Sequence, residues 1–377
     1  MSDSSNKKYT YFITGGGTGG HIYPAIAIAE ALRNDPTTKN IYYVGNPNNL
    51  EYKIVKKAKF KFLPIKVSGM PRKFNFSFIK WGIELELANW KALYYLWRFK
   101  PDAILGTGGY VSAPTLFASN LTKIPYMIHD CDAQPGIVSR FVAPKAKNIS
   151  LAFEDSIHYL KNKNYHINGN PIRKEFKTLT KEQAINDLNL QNKTTICIMG
   201  GSQGAKSINN ATINCLKQIF EKHDVQIIFQ TGTKHYEASI LQLREIYPDF
   251  ENNKQLIIKP YFDNMATILK ASDIAISRAG SLSLSEICAC GIAPILIPYP
   301  YAAADHQRKN AKSFLNKEAC LYLEDTDTNE ETLLKKLEEL LSNPEKLKKI
   351  QENTTNLAKL DATEKIVEQL KKVALNG

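Results

Sequence analysis

His21 ends a segment built for chemistry, Tyr9-Thr-Tyr-Phe-Ile-Thr14-Gly-Gly-Gly-Thr-Gly-Gly-His21, in which an apolar β-like run feeds five glycines and a threonine. Glycines let a backbone approach a ligand closely and adopt positive φ. The spacing predicts a helix from about Pro24, in Pro24-Ala-Ile-Ala-Ile-Ala-Glu-Ala-Leu32, whose positive end points at whatever the loop holds. Such a loop suits an anionic or sugar-like ligand. A histidine at its lip, with an unperturbed pKa of about 6.5, suits proton acceptance at neutral pH. The alternative is a helix-start histidine that only hydrogen-bonds the backbone.

Three other uses of the loop compete. Gly15, Gly17 and Gly20 fit G-x-G-x-x-G, but a dinucleotide site also wants an acid after the second strand, where Ile41-Tyr-Tyr-Val-Gly-Asn46 offers none. A phosphate-binding P-loop needs a lysine that is missing here. A tight strand-to-helix connection needs nothing further. Recurrence favours a ligand site: Thr195-Ile-Cys-Ile-Met199 runs into Gly200-Gly-Ser-Gln-Gly204 and then a helix-like Ala205-Lys-Ser-Ile-Asn-Asn-Ala-Thr212.

The elements that position these loops follow an α/β pattern. Short β-rich runs at Ile41–Val44, Ala103–Leu105, Pro125–Ile128, Gln226–Phe229, Asp273–Ile276 and Ile295–Ile297 alternate with helical stretches, as in parallel sheets. Two strand–glycine–helix openings predict two Rossmann-like halves, and 377 residues suit two domains. The expected division is residues 1–165, 166–355 and a terminal segment 356–377, with the boundary near residues 162–175, in the polar stretch Lys161-Asn-Lys-Asn-Tyr165 and the following Asn168-Gly-Asn-Pro-Ile-Arg173.

Seven motifs then stand in one order: Gly15 to His21; Gly106-Thr-Gly-Gly-Tyr-Val-Ser-Ala-Pro114; His129-Asp-Cys-Asp-Ala-Gln-Pro-Gly136; Gly169-Asn-Pro-Ile-Arg173; Gly200 to Ala205; Ser277-Arg-Ala-Gly280 with Glu286; and Asp305-His-Gln-Arg-Lys-Asn-Ala311. In this they resemble the MurG family, the N-acetylglucosaminyltransferases of glycosyltransferase family 28. The resemblance covers nearly the whole chain. It implies a GT-B fold, two doubly wound Rossmann-like α/β domains facing across a cleft, and the transfer that turns lipid I into lipid II in peptidoglycan synthesis. UDP-GlcNAc is then held mainly by the C-terminal domain, a lipid-linked MurNAc-pentapeptide acceptor by the N-terminal domain, and the last helix, about Ala362–Leu375, returns to brace the N-terminal domain.

By the same resemblance, His21 and Asp130 are the catalytic residues, with His21 as leading base and Asp130 as the other base or an orienting acid. Donor contacts fall to Thr18, Gly19, Gly20, Asp132, Arg173, Ser202, Gln203, Phe262, Glu286, His306 and Gln307. Acceptor contacts fall to Gly17, Gly108, Gly109 and Tyr110. Residue chemistry agrees: expelling a diphosphate without a metal calls for backbone amides, helix N-termini and a cation, which the Gly200–Gly204 turn, Ser202 and Arg173 can supply. Glu286 could accept both ribose hydroxyls or be a solvated helix glutamate; Phe262 could mark the base-reading loop or be core. No cofactor and no metal are expected.

The chain departs from the family at one motif, reading His129-Asp-Cys-Asp132 where His-Glu-Gln-Asn is usual. Trading an amide for Asp132 removes two N–H donors from a ligand contact. The aspartate either still faces a ligand or pairs with a nearby cation, and the former is favoured.

Charge and composition narrow the class. Lys+Arg 49 against Asp+Glu 37 gives +12, which fits nucleic acid, anionic membranes or phosphorylated substrates, and no nucleic-acid-binding motif is present. Residues 53–100 mix lysines with aromatics, predicting a membrane-facing patch within 66–82 (Lys66, Arg72, Lys73, Phe74, Lys80, Trp81), with Leu87–Trp97 as helix core packed on the sheet. There is no run of eighteen apolar residues and no signal-like N-terminus, so a cytoplasmic, peripheral protein is expected. The six cysteines lack metal-site spacing and read as reduced thiols without zinc. Other readings are a GT-B transferase with another acceptor, a non-hydrolysing UDP-GlcNAc 2-epimerase and a silent sugar-nucleotide binder.

Overall fold

The computed structural model describes residues 7–71 and 76–376. It divides into two compact units, Met1–Ile172 with Leu360–Gly377, and Arg173–Lys359. The first unit holds β1 (Tyr9–Thr14), β2 (Thr38–Gly45), β3 (Lys61–Pro64), β4 (Ala103–Gly106), β5 (Tyr126–Asp130), β6 (Asn148–Leu151) and β7 (Tyr165–Ile167). They form one parallel sheet in the order β3-β2-β1-β4-β5-β6-β7. The second unit holds β8 (Thr195–Met199), β9 (Gln226–Gln230), β10 (Leu256–Lys259), β11 (Ile274–Ser277), β12 (Ala293–Leu296) and β13 (Leu321–Tyr322), parallel in the order β10-β9-β8-β11-β12-β13. Each is a doubly wound Rossmann-like α/β sheet whose strand order reverses beside its first strand.

Burial explains why the strand sequences are almost continuously apolar. Tyr11 and Ile13 of β1 face one core with Ile22, Ile26 and Ile28, while Phe12 faces the other core with Ile104 and Ile128, as the twofold alternation of a strand requires. In the second unit Ile196 and Ile198 of β8 pack with Ile208, Leu216 and Leu337. The helix Ala362–Leu375 puts Ile366, Leu370, Val373 and Ala374 into the core that holds Ile22 and Ile26. Its polar edge is pinned by Lys371 to Asp35 at 2.6 Å and by Asn168 to Gln369 at 2.8 Å.

The first unit runs to Ile172, within the stretch 162–175 expected to hold the boundary, because β7 pairs with β6 and the Asn168 side chain reaches back to Ser150 at 3.0 Å. Two expectations change. The helix expected from Pro24 starts at Gly19, so Pro24 lies inside it and leaves the Gly20 carbonyl without its helical N–H partner. The stretch Leu87–Trp97 is not simply core. In the helix Phe76–Phe99, Ala88, Ala92, Tyr95 and Leu96 are buried, whereas Phe76, Ile79, Ile83, Leu87, Trp90, Tyr94 and Trp97 are exposed. The small alanines take the packed face, and the large side chains, recurring every third or fourth residue, form an outward apolar stripe. Arg72, Lys73 and Phe74, part of the expected membrane patch, lie outside the described residues.

Candidate active site

Loops gather where each strand order reverses, at the carboxyl ends of the strands, the position at which open α/β sheets bind ligands. In the first unit Thr14 is in register with Val44 on one side and Gly106 on the other, so the loops after β1 and β4 emerge together. Their backbones touch: Gly16 N–H donates to the Gly108 carbonyl at 3.3 Å, and Thr107 Oγ1 donates to the His21 carbonyl at 2.8 Å. Gly108 and Gly109 have φ of +97° and +77°. A Cβ on Gly109 would collide with the Gly16 carbonyl oxygen, and one on Gly108 would sit 2.8 Å from His21 Cδ2, so this crossing needs glycine on conformation and on space.

His21 lies in the first turn of the helix Gly19–Arg33, and its ring folds back over the loop. Nδ1 is 3.2 Å from the Gly16 carbonyl oxygen and 3.1 Å from Thr18 Oγ1. A carbonyl only accepts, so this contact assigns the proton to Nδ1 and leaves Nε2 as the ring's acceptor atom. Tyr110 stands beside Gly17, its ring 3.2 Å from where a Cβ on that glycine would lie, and its hydroxyl accepts from Asn49 Nδ2 at 2.9 Å. Beneath the loop lies a carboxylate that no sequence motif marks. Glu51 is fully buried and accepts from the Gly17 and Asn46 amides at 3.3 and 3.2 Å. With the Gly17 amide taken, the donors presented at the helix start are those of Gly19 and Gly20.

Of the motif after β5, Asp132 rather than Asp130 approaches His21. Asp132, Cys131 and His21 each offer an atom, and the three lie within 4.8 Å of one another. Asp130 is 4% exposed and accepts from the Asp132 and Gly136 amides at 3.3 and 3.2 Å, with Ser139 as a further partner. It therefore shapes the turn at residues 131–136. Burial pushes its carboxyl up to about 7. His129 is wholly buried, held by Ser150 and Asn170 at 3.0 and 3.2 Å, and burial lowers it to about 4.

The raised Asp130 value has a consequence for stability. Its folded pKa lies above the ordinary 3.8, so the folded state binds the proton more tightly than the unfolded chain, and stability falls as pH rises between 3.8 and about 7. The melting temperature should decline less over that window in Asp130→Asn than in the wild type, as thermal scans at stepped pH would show. Equal slopes would mean that this carboxyl is not preferentially protonated in the fold.

In the second unit the loop Gly200–Gly204 follows β8 and leads to the helix Lys206–Lys222. Gly201 and Gly204 have φ of +88° and +80°, and a Cβ on Gly204 would collide with the Thr231 carbonyl oxygen. Ser202 and Gln203 are exposed on this turn, and the Ser202 carbonyl accepts from Thr233 N–H at 3.4 Å. Arg278, which is assigned no ligand contact of its own, ties the neighbouring loops together. Its guanidinium donates to Asp325 at 2.5 Å, to Ser207 Oγ at 3.2 Å and to the Ile297 and Pro298 carbonyls at 3.1 and 3.2 Å. Phe262 is buried, its N–H donating to Gln230 Oε1 at 3.0 Å, so the base-reading role expected here has the Phe262 carbonyl rather than its amide to work with.

Arg173 and Glu286, assigned separately to diphosphate and ribose, are paired at 3.2 Å. Glu286 is half-buried on the helix Ser281–Cys290 and Arg173 is exposed. Burial raises the Glu286 carboxyl, and the charge and hydrogen bond of Arg173 pull it back. Farther along, Gln307 Oε1 accepts from Tyr299 N–H at 3.0 Å, and His306 Nδ1 donates to the Ala303 carbonyl at 2.7 Å, leaving Gln307 Nε2 and His306 Nε2 as their outward polar atoms. Ala304 and Asp305 have φ of +52° and +58°, an unfavourable conformation for both. Arg308 holds that turn by binding Asp305 at 2.8 Å and Glu324 at 3.1 Å.

Comparison with known proteins agrees across the chain. Residues 11–151 match the glycosyltransferase family 28 N-terminal domain and 195–370 its C-terminal domain. A Desulforamulus reducens protein named UDP-N-acetylglucosamine–N-acetylmuramyl-(pentapeptide) pyrophosphoryl-undecaprenol N-acetylglucosamine transferase is 38% identical, the match covering 96% of this chain and 98% of that one. The Bacillus subtilis (strain 168) protein of the same name is 35% identical over 96% and 99%. The crystal structure of Acinetobacter baumannii MurG superposes with a TM-score of 0.78 at 25% identity, over 97% of this chain and 99% of that one. A Neisseria meningitidis UDP-GlcNAc 2-epimerase bound to UDP-GlcNAc reaches 0.65 at 13% identity over 96% and 99%, a likeness of fold alone.

Proposed function

We propose, from the premise that the chain belongs to glycosyltransferase family 28, how its residues carry out the transfer for which its relatives are named. It is a UDP-GlcNAc-dependent N-acetylglucosaminyltransferase that moves GlcNAc to the C4 hydroxyl of lipid-linked MurNAc-pentapeptide, turning lipid I into lipid II. The observation that carries this is the identity to such transferases along nearly the full length of the chain.

His21 Nε2 takes the proton of the acceptor hydroxyl as that oxygen attacks the anomeric carbon, and UDP leaves from the opposite face with inversion. The pairing of Nδ1 with the Gly16 carbonyl supports this by holding Nε2 as acceptor. Gly17, Gly108, Gly109 and Tyr110 line the acceptor side, and Thr18, Gly19, Gly20 and Asp132 meet the transferred sugar. In the second unit the Gly200–Gly204 amides, Ser202, Gln203 and Arg173 stabilise the departing diphosphate. Glu286 accepts the ribose hydroxyls, the Phe262 segment reads the base, and His306 with Gln307 bonds the GlcNAc hydroxyls.

The direct test is acceptor dependence. UDP should appear from UDP-GlcNAc only when a MurNAc lipid acceptor is added; conversion of UDP-GlcNAc to its 2-epimer without acceptor would make the protein an epimerase instead.

The exposed stripe of the helix Phe76–Phe99 supports a second element, attachment to an anionic membrane face without insertion. No helix among the described residues is long and apolar enough to cross a membrane. Lys66, Lys80, Lys91 and Arg98 supply cations along or near this helix. Burying a large apolar side chain contributes about 1.5–3 kcal/mol, so Leu87→Gln, Trp90→Gln and Trp97→Gln together should weaken binding to anionic vesicles by about tenfold or more. Turnover on a short-chain soluble acceptor should persist. Unchanged vesicle sedimentation would place the attachment surface elsewhere.

A further inference from the structure

The motif after β5 places a thiol where sequence spacing predicted no metal site. Cys131 is 1% exposed, and its Sγ donates to Asp132 Oδ2 at 3.6 Å. With His21 these residues bring one sulfur, one carboxylate oxygen and one imidazole nitrogen within 4.8 Å of one another. The arrangement is anchored from outside. Ser156 Oγ donates to the Asp132 carbonyl at 2.8 Å, Asn170 Nδ2 donates to the Cys131 carbonyl at 3.3 Å, and the Gly16 carbonyl orients the His21 ring through Nδ1 at 3.2 Å. A carbonyl behind the distal nitrogen is the support that metal-ligating histidines ordinarily have.

We propose that His21, Cys131 and Asp132 form a three-ligand site for a soft divalent transition metal of the zinc class, and that occupancy switches the transferase off. Sulfur and imidazole select against magnesium and calcium. Zinc bonds of about 2.0–2.3 Å in a tetrahedron bring ligand atoms to about 3.3–3.8 Å apart, so the side chains close by roughly 1 Å on binding and leave a fourth position for water. Binding displaces the Cys131 thiol proton to solvent. The thiolate and the Asp132 carboxylate then neutralise the two positive charges, and affinity rises with pH. The metal occupies Nε2, the atom that accepts the acceptor's proton; this half of the inference rests on the reading of His21 as base.

Cobalt(II) separates the two halves. Titrated into the full-length protein at neutral pH, it should produce a thiolate-to-cobalt charge-transfer band that zinc abolishes and that Cys131→Ser lacks. Zinc at loading concentrations should remove nearly all wild-type turnover, while Cys131→Ser should retain its own turnover with and without zinc. Absence of the band, or an equal band in Cys131→Ser, overturns the site. A band with undiminished turnover overturns the switch; a normal His21→Ala rate would then place the failure in the reading of His21 as base, and a lowered one in the switch alone.

Discussion

His21→Ala should lower kcat by about 10²–10⁴-fold, the usual contribution of a general base, while changing UDP-GlcNAc affinity by no more than a few-fold. The donor contacts proposed in the second unit do not involve this side chain, which is why binding should survive. Loss of the imidazole should not dismantle the loop, because the bonds joining it to the loop after β4 use only backbone atoms of Gly16 and His21: Gly16 N–H donates to the Gly108 carbonyl, and the His21 carbonyl accepts from Thr107 Oγ1. Circular dichroism and melting temperature should therefore stay close to the wild type. The acidic limb of the kcat/KM profile should also flatten, since that limb reports the free enzyme's base. Near wild-type turnover with an unchanged pH profile would remove His21 from the proton transfer.

The sheet interiors are legible in the sequence because a parallel strand covered on both faces is apolar along its length. The run Thr195–Met199 coincides with its strand, and Ile41–Val44 and Gln226–Phe229 fall inside theirs. Lys61–Pro64, Tyr165–Ile167 and Leu321–Tyr322 escape because they are short edge strands that pair on one side and need little apolar sequence. β6 escapes for another reason: Asn148 and Ser150 sit buried in it, and Ser150 bonds the His129 and Asn168 side chains.

Site residues are legible where they belong to a contiguous glycine motif and obscure where they act from elsewhere. No acid stands at the end of the second strand, at Asn46, yet Glu51, little more than one helical turn farther on, holds the glycine loop from below. Arg278 looks like part of a generic Ser-Arg-Ala-Gly turn, and its bond to Asp325 spans a sequence separation that no local pattern reveals. The outward stripe between Leu87 and Trp97 reads as core in the sequence because periodicity marks an apolar face without saying what covers it. Composition has the same limit at Cys131, whose neighbour His21 is brought in by the fold.

Glu286→Ala should raise the donor KM by about 10–100-fold, the equivalent of a charge-assisted hydrogen bond of about 1.5–3 kcal/mol, with kcat changed far less. Its ion pair with Arg173 makes the consequence testable in more than one way. Arg173 lowers a Glu286 carboxyl that burial raises, so removing the arginine lets the carboxyl rise farther. A protonated Glu286 is a poorer acceptor for two hydroxyls, so in Arg173→Ala the improvement of donor KM with pH should move to higher pH. Because Arg173 is exposed, neither single variant should lose much stability. The double variant should lose less donor binding than the sum of the singles, since each partner acts partly through the other; strict additivity would mean that the 3.2 Å contact plays no part in donor binding. The ribose assignment is decided separately. For a donor analogue lacking ribose hydroxyls, Glu286→Ala should change KM little, and an effect as large as that on UDP-GlcNAc would show that the carboxylate binds some other part of the nucleotide sugar.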